Sequence, residues 1–289
     1  MKMSMTISQT ICYNLPMQDI ISRQIKPIDQ LVFSDDFMFG AVMRDAEICK
    51  GVLERLLQIK IDHIEYPELQ KSISPFYSKK GVRLDVYVAN SDKVFDVECQ
   101  SYTIKNIGKR TRYYQSMIDI DSLMKGADYS ELKESYVIFI CLSDPFNDNL
   151  PIYTFERKCK EKESVELKDE THHLIFNCAA YEEEENPELK EFLSFVKNNK
   201  ANSDLTRRIE NMVQTKKFEQ SFVNEYMAWN LHDQDVLKRG REEGRKEGQK
   251  EGIFETYFDL IKSGLISIKD AAAKLNMSES ALKESFNIA

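Results

Sequence analysis

The sequence is poor in the features that mark special classes of chain. Its 289 residues include 10 glycines, 7 prolines and one tryptophan, too little Gly and Pro for a collagenous or low-complexity protein. No stretch approaches the ~20 consecutive apolar residues that span a bilayer. The longest strongly apolar run, Val137-Ile138-Phe139-Ile140-Cys141-Leu142, has the length of one buried strand. The opening residues MKMSMTISQTICYNLPMQD mix polar groups into every turn and lack the apolar core of a signal peptide. The chain therefore reads as a cytoplasmic protein without a membrane segment. The six cysteines, at 12, 49, 99, 141, 159 and 178, form no CxxC pair, so they read as reduced, mostly buried thiols rather than zinc ligands. His63, His172, His173 and His232 show neither HxxxH nor HxxE spacing, and no histidine metal site is expected. Positive charge is short as well. With 40 Lys+Arg against 48 Asp+Glu, there is no whole-protein basic field, and any nucleic-acid contact must come from a local patch.

What is present is ordinary globular material. Apolar residues make up 42% and charged residues 30%, enough for one large domain plus a small one, or for two domains. The acidic excess is confined to residues 1–235; from Val236 onward 10 Lys+Arg stand against 9 Asp+Glu. Residues 1–27 carry weak signals. Ser34-Asp35-Asp36 are helix-starting residues, whose side chains can bond the free N–H groups of a first turn. Phe37, Val42, Met43, Ile48, Val52, Leu53, Leu56 and Leu57 then recur every three to four residues, which predicts one or two amphipathic helices over 36–58. The period changes to two at Val82, Leu84, Val86 and Val88, alternating with Arg83, Asp85, Tyr87 and Ala89. After Asn90-Ser91-Asp92 a second alternation sets Phe95, Val97 and Cys99 against Val94, Asp96, Glu98 and Gln100. Two such runs around turn residues spell a β-hairpin. Residues 104–124 return to a helical pattern, 135–142 read as a buried strand, and 187–235 are helical with one break around 198–203. This order predicts a mixed α/β domain with helices covering a sheet. In RGREEGRKEGQKEG, glycine recurs every four residues with no apolar face. Residues 236–252 read as a solvated charged spacer, helix-compatible through i,i+4 charges although each Gly costs ~1 kcal/mol. Residues 253–289 regain an apolar pattern. A helix over Ser267–Leu275, a turn at Asn276-Met277-Ser278 and a second helix over Glu279–Phe286 form a helix-turn-helix-like module.

The hairpin carries the sharpest chemical signal. A turn centred between Ser91 and Asp92 sets Asp85 opposite Glu98, Arg83 opposite Gln100 and Tyr87 opposite Asp96, with Cβ atoms ~4.5–5.5 Å apart. Two opposed carboxylates repel. Either one is protonated, or solvent bathes that face, or a cation sits between them. A hard divalent ion takes carboxylate oxygens and is the usual partner of a phosphate, which suggests Mg²⁺ or Mn²⁺. Lys105, Lys109, Arg110 and Arg112 follow within two turns of the hairpin and form the local patch an acidic domain needs to meet a phosphate backbone. Tyr113 and Tyr114 add stacking surfaces. The plain alternatives are acidic residues solvated on an outer sheet face, an ordinary basic helix face, and a helix cap at Asp35 and Asp36.

The segments SDDFMFGAVM, RLDVYV, DVECQ, KRTRYYQSMIDIDSL and YVIFICLSDPF, in this order over residues 28–160, resemble the PD-(D/E)XK nuclease-like proteins of the Rpn type, the recombination-promoting nucleases and transposases of prokaryotes. The glycine-spaced tail is also typical of them. The resemblance implies a restriction-endonuclease-like core over 28–235, a central mixed sheet flanked by helices, with a helical C-terminal extension. It implies Mg²⁺- or Mn²⁺-dependent hydrolysis of DNA phosphodiesters. Asp85 and Glu98 would be the catalytic metal ligands, with the backbone carbonyl of Cys99 as a third contact. Asp36 would be the acidic residue of the first helix, with Asp35 as second choice. Arg112 and Tyr113 or Tyr114 match the family's basic and aromatic positions, and with Lys109 and Arg110 would hold DNA. Two positions depart from the family pattern. Leu84 stands where a proline precedes the aspartate, and Gln100 fills the lysine position. Glutamine carries no positive charge and cannot act as a base, so it can only orient water. The base is then left to the metal's own water or to the phosphate. Two other readings stay open: a non-catalytic DNA-binding or regulatory protein working through the tail, and a transposase proper, which needs strand transfer. The tail's second helix holds Glu279, Ser280, Lys283 and Glu284. It is not basic, as DNA-reading helices are, and reads instead as a self-association module that would make a homo-oligomer.

Overall fold

The computed structural model describes residues 26–62, 64, 68–73, 82–89, 92–102, 105–162 and 164–286, and the chain divides into two compact units at Tyr226–Met227. The first unit begins with two helices, α1 (Asp36–Met43) and α2 (Ala46–Leu57), as the three-to-four-residue spacing predicts. Asp45 separates them and caps α2, its Oδ1 accepting the Ile48 N–H at 2.9 Å. The buried stripe of α2 is Ile48, Cys49, Val52, Leu53 and Leu56. Asp35 occupies the N-cap position of α1, but its carboxylate turns away from that helix. It takes the Val32 N–H at 2.7 Å and the Lys26 ammonium at 2.6 Å instead. The expected side-chain cap is thus replaced by a brace on the preceding turn.

The sheet has six strands, β1 (Glu68–Ile73), β2 (Val82–Ala89), β3 (Lys93–Gln100), β4 (Glu134–Cys141), β5 (Ile152–Phe155) and β6 (Thr171–Asn177), in the order β1-β2-β3-β4-β6-β5. β3–β4 and β4–β6 are parallel; the other three pairings are antiparallel. A parallel neighbour needs a crossover, and α3 (Ile107–Ser122) supplies it between β3 and β4. Ile107, Tyr114, Met117 and Ile118 of α3 pack with Val94, Val137, Phe139 and Ile175 of the sheet. On β3 and β4, Phe95, Val97, Ile138 and Ile140 are also fully buried. These two strands therefore carry apolar residues on both faces, as strands covered on both sides must. Phe33, beside α1, meets Phe39, Phe192 and Phe195 at ring separations of 5.2 to 6.4 Å and ties α1 to α4 (Pro187–Asn198).

The helices α4, α5 (Asp204–Phe218) and α6 (Gln220–Lys262) follow one another. The expected break falls at Asn199, whose φ of 56° is left-handed, and Ser203 restarts the chain by capping α5. Residues 236–252 lie inside α6. In the second unit Ser267 caps α7 (Ile268–Lys274) and Ser278 caps α8 (Glu279–Ser285). Ala271, Ala272 and Leu282 form a small core with Phe254, Tyr257, Ile261 and Phe286. Strands β1, β5 and β6 have no counterpart in the alternation pattern. Their sequences ELQKSI, IYTF and THHLIFN are polar, four residues long, or interrupted by a His pair.

At the starts of the parallel strands a polar knot joins three elements. Glu134 accepts from Lys93, from Tyr136 Oη at 2.7 Å and from His172 Nε2 at 2.8 Å. Burial raises the Glu134 carboxyl, but the donors outweigh burial and hold it at about 2. A carboxyl depressed in the folded state stabilises above its unfolded pKa and loses that contribution as pH falls through the folded value. Glu134→Gln should lower stability by about 1 kcal/mol at neutral pH, with the gap closing as the pH falls from the ordinary carboxylate range toward 2. Urea denaturation of both proteins at several pH values measures it. A second expectation concerns α6. A Cβ at Gly244, Gly248 or Gly252 would meet nothing within 4 Å, so each Gly→Ala change should stabilise the helix by about 0.5–1 kcal/mol. Circular dichroism through a thermal ramp reads the gain.

Candidate active site

Near its turn the β2–β3 hairpin has the predicted register, with Tyr87 on Asp96, Val88 on Phe95 and Ala89 on Val94, but among the described residues the ladder stops at Val86–Val97 and does not carry the expected Asp85–Glu98 and Arg83–Gln100 pairs. Past the Val86–Val97 pair the Asp85 N–H turns to a side chain and donates to Glu98 Oε1 at 2.8 Å. Strict alternation fails at the same place. Leu84 and Tyr87 belong to one apolar cluster with the inner face of α3, whereas the sequence pattern sets them on opposite faces. The β2–β3 ladder ends at Val86–Val97, and the two strands part there in a fork. The carboxylate of Asp85 acts across that fork. Its charge raises both the Asp96 carboxyl and the Cys99 thiol, which belong to opposite faces of β3.

Helix α3 covers the polar face of β3. Its inward stripe is Ile107, Arg110, Thr111, Tyr114, Met117 and Ile118, spaced three and four apart. Asp96, Glu98 and Gln100 therefore sit under a helix, at 0%, 0% and 4% exposure. The option that solvent bathes the carboxylates is excluded. Arg110 NH2 reaches Glu98 Oε2 at 3.0 Å and NH1 reaches Gln100 Oε1 at 3.2 Å, while Gln100 Nε2 donates to Glu98 Oε2 at 3.3 Å. Tyr114 Oη takes two guanidinium N–H groups at 2.7 and 3.0 Å, and the guanidinium carbon lies 5.0 Å from the Tyr114 ring centroid and 5.3 Å from that of Phe139. Among the described residues each hydrogen bond of Glu98 is donated to it, the pattern of an ionised carboxylate. Burial nevertheless pushes the Glu98 carboxyl well above the usual range, and Asp96 adds to the push; Arg110 and the Asp85 N–H pull the other way, and the charge of Asp36 raises it again.

Asp36, in the first turn of α1, thus acts electrostatically on this cluster. Cys99 turns its thiol away from Glu98 and toward Ser34 O, at 3.7 Å, so only its backbone is available on the Glu98 side. Lys109, Arg112 and Tyr113 lie exposed on the outer side of α3. Arg110, grouped with them in the sequence, turns inward. Burial pushes the thiols of Cys49 and Cys141 up to about 12, and those of Cys99 and Cys178 upward too. None of these is a thiolate nucleophile at neutral pH.

Sequence reasoning missed Asp96. It is fully buried, and neither carboxylate oxygen has a hydrogen-bond partner among the described residues. Burial first, and the charge of Asp85 second, hold its carboxyl well above the usual range, with Arg110 offsetting part. The available signal was its period-two relation to Glu98 and Gln100 beside a fully apolar neighbouring strand. A carboxyl raised in the folded state keeps a proton that the unfolded chain releases, so stability falls as pH rises from the unfolded pKa toward the folded one. In metal-free buffer Asp96→Asn should therefore cost less than about 1 kcal/mol near pH 6 and gain on the wild type by pH 9. Thermal unfolding across that range checks this; a deficit that stays constant with pH contradicts it.

A model of the PD-(D/E)XK nuclease family transposases matches residues 33–240, well over half of the chain. Comparison with curated proteins and with solved structures gave no match. The matched span contains the six-stranded mixed sheet, its flanking helices and the fork at Asp85 and Glu98. With a restriction-endonuclease-like sheet and the family's motif strands in place, this chain belongs to the PD-(D/E)XK nuclease family transposases.

Proposed function

We propose that this protein is a divalent-metal-dependent DNA endonuclease that hydrolyses phosphodiester bonds, acting in recombination or on mobile elements. The observation that carries the reading is Glu98, a fully buried carboxyl at the strand fork whose contacts all come from donors. Around it, Asp96 and Asp36 raise the Glu98 carboxyl and Asp85 raises that of Asp96, with Arg110 as the opposing charge. Such a site is short of positive charge. Among the described residues no three His, Cys, Asp or Glu side chains form a metal cage. A small hard ion such as Mg²⁺ or Mn²⁺ is held by one or two carboxylates and keeps several waters. Asp85 and Glu98 would hold it, with the Cys99 carbonyl as a third oxygen. PD-(D/E)XK nucleases generally use divalent metals. Bound there, the ion supplies Lewis-acid charge to the scissile phosphate and lowers the pKa of the attacking water.

The protein's own groups do the rest. Gln100 is held by Glu98 and Arg110, which leaves one amide N–H and one lone pair to orient water. Asp36 would add negative charge that acts on Glu98. Lys109, Arg112 and Tyr113, exposed on α3, would hold the phosphate backbone. The α8 helix carries Glu279 and Glu284 against Lys283, so the C-terminal module is poorly suited to DNA and better suited to self-association.

A plasmid-nicking assay with Mg²⁺, Mn²⁺, Ca²⁺ or EDTA tests the reading. Cleavage should require Mg²⁺ or Mn²⁺, and Asp85→Ala and Glu98→Gln should each reduce it by about a thousandfold or more while the proteins stay folded. Cutting by either variant at the wild-type rate refutes the assignment. Lys109→Ala and Arg112→Ala should weaken DNA binding uniformly across sequences, each lowering the salt slope by about one.

A further inference from the structure

Glu98 has no exposed surface, whereas the Arg110 side chain beside it is 26% exposed. Asp96 and Gln100 are buried as well. Of these four side chains Arg110 is the most exposed, and it is seated on Glu98 Oε2 at 3.0 Å. Resting on the metal-dependent reading above, we propose that Arg110 is a resident counter-cation that a divalent ion must displace from Glu98, so that ion entry unlatches α3's guanidinium from the site.

The argument is electrostatic. An ion taking Glu98 from the Oε2 side would stand within a few ångströms of a guanidinium, and like charges at that distance in a partly buried site repel strongly. Glu98 Oε1 accepts one N–H, from Asp85, whereas Oε2 accepts two, from Arg110 and Gln100, so an ion that takes Oε2 must displace a donor, and one that takes Oε1 still stands beside the guanidinium. In the absence of the ion Arg110 is needed, because a buried carboxylate without a partner is costly. It also supplies the positive charge that Gln100, in the lysine position, does not carry. The latch is built to hold. Burial alone would depress the guanidinium pKa, yet Tyr114 and Glu98 raise it above its ordinary value, and two N–H groups rest on Tyr114 Oη at 2.7 and 3.0 Å. Arg110 is also free to leave. It is anchored by side chains alone, and part of it is exposed to solvent.

The test follows the Arg110 Nε–Hε signal of the full chain by ¹⁵N NMR during a Mg²⁺ titration, with Mg²⁺ binding measured in parallel by calorimetry. The signal is assigned by its loss in Arg110→Lys and its shift in Tyr114→Phe. In metal-free protein it should exchange slowly with water. At saturating Mg²⁺ its exchange should speed up by about tenfold or more, and Mg²⁺ should cause no such change in Glu98→Gln. Tyr114→Phe, which keeps every charge but loosens the latch, should bind Mg²⁺ about three- to tenfold more tightly than wild type. If calorimetry shows Mg²⁺ bound through Glu98 while the Arg110 signal is unchanged and Tyr114→Phe binds no tighter, the latch is wrong and the nuclease reading stands. If wild type binds no Mg²⁺, or Glu98→Gln binds it equally well, the metal reading fails and the latch with it.

Discussion

The structure depends on satisfying the Glu98 carboxyl in a place where water cannot reach it. A carboxylate at full burial faces a desolvation cost of several kcal/mol, and three donors offset it from three directions: the Asp85 backbone, the Gln100 amide and the Arg110 guanidinium. Each donor needs a different piece of the fold. The Asp85 N–H is available because β2 parts from β3 there. Gln100 lies two residues along the same strand. Arg110 reaches in because the inner stripe of α3 places it over the strand end, stacked on Tyr114 and Phe139. Sheet, fork and crossover helix are thus tied to one oxygen pair.

The rest of the sheet supports that arrangement from a distance. Parallel pairing of β3 with β4 and of β4 with β6 forces a crossover, and the crossover is the helix that carries both Arg110 and the exposed Lys109, Arg112 and Tyr113. One element therefore faces inward to an acidic cluster and outward to solvent with basic and aromatic groups. The Glu134 knot pins the opposite ends of the same strands through Lys93, Tyr136 and His172. At the strand ends near the site, buried Asn177 ties β6 to Leu150 O and the Ala179 N–H, while Glu98 and Gln100 meet Arg110.

Much of this was legible in the sequence where local periodicity and burial agree. The two helices over 36–58, the hairpin register near its turn, the break near Asn199 and the paired helices of the tail all follow from spacing and capping residues. What failed did so for identifiable reasons. β1, β5 and β6 depend on neighbours rather than on their own alternation. The parting of β2 from β3 before Asp85 is something only the pairing geometry reveals. Asp35 looked like a cap because its position is that of a cap, yet a lysine and a backbone N–H nine and three residues upstream compete for it. Arg110 was grouped with its basic neighbours because a helix face cannot be assigned until the sheet beneath it is known. Asp96 was passed over because a buried carboxyl without partners contradicts what a stable core requires, and such contradictions are where function is concentrated.

The central claim is that Asp85 and Glu98 grip one divalent ion at the strand fork. A crystal structure grown in Mn²⁺ answers it through the anomalous scattering of the metal. The account predicts a single strong peak within coordination distance, ~2.1–2.2 Å, of both carboxylates. A peak held by other residues, or none at an Mn²⁺ concentration that supports cleavage, would contradict it.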